Sequence, residues 1–165
     1  MTLVATSKLN DYYDFTEESM ADLIDEIRHA LGDIGGLEVW GNMVLLAMFV
    51  RPAQTRSGFV VSNSMPLEDA YQGKVGLIVK LGPDAFPEGE NTFNGRKPAV
   101  GDWVYHNPQS FEIQAQVVGR GAKRKMLKGE KEDHPTEARS WNGWAVRLVR
   151  DSQIHGRLEH PEILL

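Results

Sequence analysis

Two apolar runs decide the fold of this chain: Trp40-Gly-Asn-Met-Val-Leu-Leu-Ala-Met-Phe-Val50 and, after a polar interval, Gly73-Lys-Val-Gly-Leu-Ile-Val-Lys-Leu-Gly82. Both are rich in β-branched and large aliphatic residues and are bounded by turn-forming residues, which is typical of strands. Three further runs of this kind occur at Gly101–His106, Phe111–Val118 and Trp144–Val149. The pattern predicts a mostly β domain, either a small barrel or a sandwich.

Long intervals separate these predicted strands, at Arg51–Gln72, Gly82–Val100 and Gly119–Gly143. Structureless loops longer than about 12–15 residues are uncommon inside a compact domain and tend to be functional or disordered. Within the first interval, Gly58 precedes an apolar tripeptide, Phe59-Val60-Val61. Two interpretations of the tripeptide stay open: an edge strand over the barrel, or an adhesive patch on a flexible tether.

One helix is predicted, at roughly Thr16–Leu31. Asp14 and Glu17 have the spacing of a capping box, and Gly32 is a natural C-terminal stop. The apolar residues recur at helical spacing on one face: Met20, Leu23, Ile24, Ile27 and Leu31. We expect this amphipathic helix to pack on the main body or on a neighbouring subunit, and a role in partner binding is the alternative.

Composition excludes several classes of protein. The chain has 165 residues, 41% hydrophobic and 25% charged, which is ordinary for one globular domain. It has no cysteine, so disulfides, thiolate metal sites and cysteine nucleophiles are excluded. Its longest apolar run, Met43–Val50, is far shorter than a membrane span, and no signal-peptide pattern is present. We expect no membrane association and a cytoplasmic location.

Charge is unevenly distributed. The net charge is −5, and residues 1–38 hold nine acidic but only two basic side chains. A short segment, Gly119–Lys131, is in contrast strongly basic. Its candidate basic patch consists of Arg120, Lys123, Arg124, Lys125 and Lys128. A solvated, mobile loop is the preferred interpretation, because no aromatic residue is interleaved for base stacking; binding of a phosphate backbone is the alternative.

No catalytic or metal-binding motif is found. Gly119-Arg-Gly121 begins like a dinucleotide fingerprint, but the third glycine position is Arg124 and no strand and helix flank it. His155 and His160 lack a third ligand at a recognisable spacing and are predicted to be surface residues. We therefore expect no catalytic residues, no metal, no cofactor and no enzymatic activity.

In order and spacing, the motifs of this chain resemble those of the GroES co-chaperonins, the chaperonin-10 family. The resemblance covers roughly Val39–Ile154 apart from an insert. Its motifs are an apolar first strand, a loop ending in glycine and three apolar residues, a glycine-bounded strand, a Val-Gly-Asp step into a short strand, and a closing strand. They are matched by Asn42–Leu46, Gly58–Val61, Gly73–Gly82, Val100–Tyr105 and Ala145–Ile154.

The resemblance implies a GroES-like β-barrel at residues 39–154, with a mobile loop at 51–72, a dome-side excursion at 82–100 and a basic insert at 119–143. It also implies a ring, by analogy a heptamer, that caps a GroEL-type chaperonin and encloses a folding chamber. Phe59, Val60 and Val61 would bind the chaperonin, Gly58 and Gly73 would act as loop hinges, and the partner would use the ATP. We expect Trp103, Tyr105 and Trp144 to fill the core.

Three added pieces depart from this resemblance: the acidic N-terminal extension at 1–38, the basic insert, and a C-terminal tail at 155–165. The tripeptide also departs from it, since Phe59-Val60-Val61 stands where the family usually has two branched aliphatic residues and a leucine. Added pieces of this kind suggest a bacteriophage-encoded relative acting in the host cytoplasm. The main alternative is a virion or assembly protein that reuses the barrel and binds no chaperonin. Nucleic-acid binding is a third alternative, which only the basic segment favours.

Overall fold

The structure is a computed structural model, and it describes residues 17–50, 69, 72–87, 93–123 and 143–164. The chain forms one helix, six strands and two short 3-10 turns in this part. Helix α1 is Glu17–Leu31, and the strands are β1 Met43–Met48, β2 Val75–Leu81, β3 Trp103–His106, β4 Ile113–Val117, β5 Trp144–Arg150 and β6 Ile154–Leu158. The 3-10 turns are Asp151–Gln153 and Pro161–Leu164.

Helix α1 confirms the predicted amphipathic helix. The side chains that recur at helical spacing on its apolar face are buried: Met20, Leu23, Ile27, Ala30 and Leu31. The helix ends as expected at Gly32, which has a φ of 67° and donates its N–H to the carbonyl of Arg28 at 2.9 Å. The predicted cap at Asp14 and start at Thr16 lie outside the described residues.

The six strands form one antiparallel sheet in the order β4-β5-β1-β2-β3-β6. β1 lies in its interior and is buried on both faces, because its side chains alternate between two apolar layers. Leu45 and Ala47 belong to the layer that packs against α1. Val44 and Leu46 belong to the second layer, on the opposite face. The mostly β fold class is therefore confirmed.

Strand register shows that this sheet is strongly coiled. Arg150 of β5 pairs with Met43, which is level with the end of β2. Ile154 of β6 pairs with His106, which is level with Lys74, just before β2 begins. In a flat sheet Arg150 and Ile154 would lie four strands apart, which is roughly 20 Å across the sheet. They would also be separated by roughly 25 Å along the strand direction. The chain from Arg150 to Ile154, however, can span at most about 14 Å. The sheet must therefore curl, beyond its ordinary twist, to bring β5 and β6 together.

The concave face of the coiled sheet encloses the second apolar layer, to which Val149 of β5 and Ile154 of β6 both contribute. Residues 82–87 and 93–100 cross this layer, where Phe86 is buried and packs edge-to-face on Phe93 with ring centroids 5.6 Å apart. Among the described residues no ladder joins β4 to β6, so the sheet is open between these two strands.

Two details of the sheet differ from the sequence analysis. β1 begins at Met43 rather than Trp40, whose side chain is 75% exposed. β6 was not predicted at all and occupies Ile154–Leu158, mostly within the segment assigned to a tail. Its sequence, Ile-His-Gly-Arg-Leu, contains a glycine and only two apolar residues. This strand lies at the edge of the sheet and is partly exposed, so it needs few apolar side chains. Of the aromatic residues expected in the core, Trp103 and Trp144 are buried and Tyr105 is partly buried.

No helix in the described part of the chain is long and apolar enough to cross a membrane.

Candidate functional site at the base of the 51–72 segment

The segment expected to be a mobile loop joins two neighbouring strands. β1 leads into it and β2 follows it, and the two strands pair antiparallel, with Met48 opposite Gly76. Beyond the last ladder pair, the N–H of Phe49 donates to the carbonyl of Val75 at 2.9 Å, and both Phe49 and Val50 are buried. The two ends of the segment are thus held side by side, about one strand spacing or 5 Å apart.

A buried arginine from β5 fixes the second end of the segment. Arg147 is fully buried, and its Nη1 donates to the carbonyl oxygen of Gly73 at 2.6 Å. Its guanidinium also lies over the ring of Phe111, 4.7 Å from the centroid. Burial lowers the pKa of Arg147, but an arginine side chain nonetheless remains protonated in proteins. The positively charged guanidinium of Arg147 is therefore held at the end of the sheet from which the segment 51–72 leaves.

A buried histidine from β3 holds the next residue. The backbone N–H of His106 donates to the carbonyl of Lys74 at 2.9 Å, and the His106 Nδ1 lies 3.1 Å from the same oxygen. Because a carbonyl oxygen only accepts, Nδ1 must carry the proton of this contact. We refer to Gly73, Lys74, His106 and Arg147 as the loop-base cluster.

The environment of His106 favours its neutral form. Burial lowers the pKa of the imidazole below its ordinary value, the Arg147 guanidinium adds to this shift, and the hydrogen bond to Lys74 opposes it. In the unfolded chain the same imidazole takes up a proton near pH 6.5. Acidification below that pH therefore favours the unfolded state, and the stabilising effect of a neutral His106 is fully present only above it.

Replacing His106 with asparagine is expected to reduce the acid sensitivity of folding. Asparagine keeps a donor for the Lys74 carbonyl but does not titrate, so the free energy of unfolding should fall less steeply between about pH 7 and pH 5 than in the native protein, by up to about 1.4 kcal/mol per pH unit. Urea unfolding followed by tryptophan fluorescence across this range measures the slope. Equal slopes in the native protein and in His106→Asn would contradict the prediction.

Close packing around Gly73 completes the cluster. The Gly73 N–H donates to the carbonyl of Asp69 at 3.1 Å, and a β-carbon added at Gly73 would lie only 2.3 Å from that oxygen. The other end of the segment is also fixed by a side chain of β5, since the indole Nε1 of Trp144 donates to the carbonyl of Met48 at 2.7 Å. Both ends are therefore anchored by side-chain hydrogen bonds from β5.

Most residues of the sequence-predicted binding site are not described. Phe59, Val60, Val61 and the hinge candidate Gly58 lie outside the described residues, and the expectation of poor order in 51–72 likewise falls largely outside them. Gly73, the second hinge candidate, belongs to the loop-base cluster. Of the candidate basic patch, Arg120 and Lys123 are described and exposed, whereas Arg124, Lys125 and Lys128 lie outside the described part.

The start of the basic insert makes a structural contact that the sequence did not reveal. The N–H groups of Gly119 and Lys123 donate to the carbonyls of Leu31 and His29 at 2.7 and 2.6 Å. Carbonyls in the last turn of a helix have no partner within the helix, and nearby cations favour that end of the helix dipole. Residues 119–123 thus cap α1 through backbone N–H groups, so the start of the basic insert has a structural role.

Sequence reasoning missed His106 and Arg147. One signal was available for Arg147: alternation along Trp144–Val149 places it on the same face as Val149, which is an inward-facing position for a charged side chain. His106 is the last residue of a predicted strand and carries no comparable signal. Within the described ranges, no group of three or more histidine and acidic side chains is placed to hold a metal ion.

No protein-family model matches the chain, and a search of curated proteins also finds no match.

Proposed function

We propose that the protein is a co-chaperonin that forms a ring, by analogy a heptamer, and caps a GroEL-type chaperonin through Phe59, Val60 and Val61. In this proposal the coiled sheet closes into a GroES-like barrel, and the ring encloses a folding chamber. The observation that carries the proposal is the loop-base cluster: a long segment with an apolar tripeptide leaves the sheet from two adjacent, rigidly anchored strand ends.

The placement of the motifs supports this proposal. The motif Asn42–Leu46 falls on β1, Gly73–Gly82 on β2, Val100–Tyr105 on β3 and Ala145–Ile154 on β5 and the start of β6. These strands are adjacent in the sheet, in the order β5-β1-β2-β3-β6. Motifs that resemble one family in sequence therefore also lie on neighbouring strands of one coiled sheet.

The energetics favour several weak contacts over one strong contact. Burying three apolar side chains gains about 1.5–3 kcal/mol each, whereas ordering the loop costs about 1–2 kcal/mol per residue. One loop would therefore bind weakly, and several loops on one ring would bind with high effective concentration. The low affinity of each loop allows release when ATP turnover changes the chaperonin.

Ring formation needs surfaces that subunits share. In the described part of the chain, β4 and β6 each have one edge without a ladder partner. The β4 edge also carries exposed apolar side chains, with Ile113 56% and Val118 57% exposed. Unpaired strand edges readily pair with another chain. The same features support the alternative proposal, a virion or assembly protein that needs no chaperonin.

Replacing Phe59, Val60 and Val61 together with serine is expected to abolish capping without unfolding the sheet. The measurement is co-sedimentation with a GroEL-type chaperonin, with ATP, with ADP and without nucleotide. Val100→Ser is the matched control, because Val100 is an apolar residue that is 61% exposed outside the segment. Nucleotide-dependent co-sedimentation should persist in this control.

Two results would contradict the proposal. Capping that survives the triple replacement would refute the tripeptide as the binding site. A native protein that assembles but ignores the chaperonin under every nucleotide condition would favour the assembly protein instead.

A further inference from the structure

A groove lies between strand β6 and the described part of the 82–100 excursion, next to His106 of the loop-base cluster, which pairs with Ile154 of the lining. Its volume is about 640 Å³, within the roughly 300–1,000 Å³ typical of small-molecule sites. The side chains that matter for its chemistry are Phe86, Phe93, Arg96, Tyr105, His155 and Arg157. We refer to it as the excursion groove.

Three aromatic side chains line the groove: Phe86 and Phe93 from the second apolar layer, and Tyr105 from the layer on the α1 side. Phe86 and Phe93 pack edge-to-face, and the ring of Tyr105 lies across β6 at Gly156. A β-carbon at Gly156 would come within 2.6 Å of the Tyr105 hydroxyl oxygen, so the glycine is what allows the ring to lie there. Among the described residues the Tyr105 hydroxyl has no hydrogen-bond partner. The lining therefore offers both aromatic surface and an available hydroxyl group.

The rim of the groove is cationic. Arg157 donates from Nη1 to the carbonyl of Arg96 at 3.2 Å and has no carboxylate partner in the described part of the chain. Arg96 is held at 3.0 Å by Asp102, which leaves other N–H groups of its guanidinium free to donate. His155 is exposed beside them. Counting only the described residues, the rim thus has one guanidinium without a carboxylate partner and two further potential donors.

The single acidic side chain in the described lining is already engaged. Asp151 accepts from the backbone N–H of Phe86 at 3.0 Å with one carboxylate oxygen and from Asn42 Nδ2 at 3.1 Å with the other. The first of these bonds holds Phe86 at a φ of 51°, a left-handed conformation that is uncommon for a bulky residue. Asp151 therefore positions Phe86, and both of these contacts are to neutral N–H groups rather than to Arg157.

We infer that the excursion groove binds a small organic anion that carries an aromatic ring. The ring would pack on the half-buried side chains of Phe93 and Tyr105, and the anionic group would accept hydrogen bonds from Arg157 and the Tyr105 hydroxyl. This inference does not depend on chaperonin binding, because the groove is built from residues outside the 51–72 segment.

The probe is 8-anilinonaphthalene-1-sulfonate, an aromatic sulfonate whose fluorescence rises on binding. We expect saturable binding of one probe per chain. Arg157→Gln should weaken binding about tenfold, and Tyr105→Phe about threefold, from the loss of a charged and a neutral hydrogen bond respectively. Arg28→Gln, an exposed arginine on α1, should leave the affinity unchanged. N-phenyl-1-naphthylamine, the same aromatic molecule without the sulfonate, should bind more weakly and should not respond to Arg157→Gln.

Two further measurements keep the test specific. Near-ultraviolet circular dichroism shows that each variant retains native packing, since the probe also binds partly folded states. Binding should persist when Phe59, Val60 and Val61 are replaced with serine, which separates the groove from the apolar tripeptide. The inference is overturned if native protein does not bind the probe, if Arg157→Gln and Tyr105→Phe both bind it as tightly as native protein, or if the neutral probe binds equally well.

Discussion

Replacing Arg147 with methionine is expected to lower the free energy of unfolding by about 2–3 kcal/mol. Methionine has a similar length and fills most of the space, so the cavity term is small. It does not donate a hydrogen bond, however, and the Gly73 carbonyl loses a charged donor at 2.6 Å. The contact between the guanidinium and the Phe111 ring is lost as well.

The matched control lies three residues further along the same strand. Arg150 is exposed and forms an ion pair with Glu112 at 3.2 Å. Exposed ion pairs contribute little, so Arg150→Met should change the free energy of unfolding by less than about 1 kcal/mol. Urea unfolding of both variants, followed by tryptophan fluorescence, measures the difference.

Equal stability of the two variants would show that the desolvation of Arg147 offsets its interactions, as occurs for some buried charges. The arginine would then hold the segment in place without stabilising the fold. A clearly lower free energy of unfolding for Arg147→Met than for Arg150→Met would show that Arg147 stabilises the sheet as well as anchoring the segment.

Much of the fold follows from local sequence patterns. Helix α1 has five buried apolar residues at helical spacing, and β1 and β2 are long apolar runs between turn residues. Such patterns depend only on neighbours along the chain, so they are visible in the sequence. β6 has no such pattern, because an edge strand with half its residues exposed needs few apolar side chains.

The candidate site depends on information of another kind. Gly73, His106 and Arg147 come from three segments far apart in the chain, and only strand register brings them together. Strand register is set by packing across the whole sheet, and a single sequence does not show this long-range packing. The sequence therefore predicted the two strands that flank the segment 51–72, but not how the ends of the segment are held.

Replacing Gly73 with alanine is expected to lower the free energy of unfolding by about 2–4 kcal/mol, from overpacking and the loss of one hydrogen bond. The added β-carbon would lie 2.3 Å from the carbonyl oxygen of Asp69, so the backbone must move. That movement breaks the Gly73–Asp69 hydrogen bond and displaces the carbonyl that Arg147 binds. Gly36→Ala is the control, because nothing lies within 4 Å of its added β-carbon and its φ is not positive.

The same variant separates two roles for this glycine. Gly73 is not among the described glycines with a positive φ, so a left-handed backbone does not explain a need for glycine at this position. The close approach of the Asp69 carbonyl oxygen does. A role in close approach predicts a loss of stability with Gly73→Ala, measured by urea unfolding against Gly36→Ala. A hinge role, as the resemblance implies, predicts unchanged stability and slower or weaker capping of the chaperonin. A stable variant that caps normally would exclude both roles, because neither the space at Gly73 nor its freedom to rotate would then be needed.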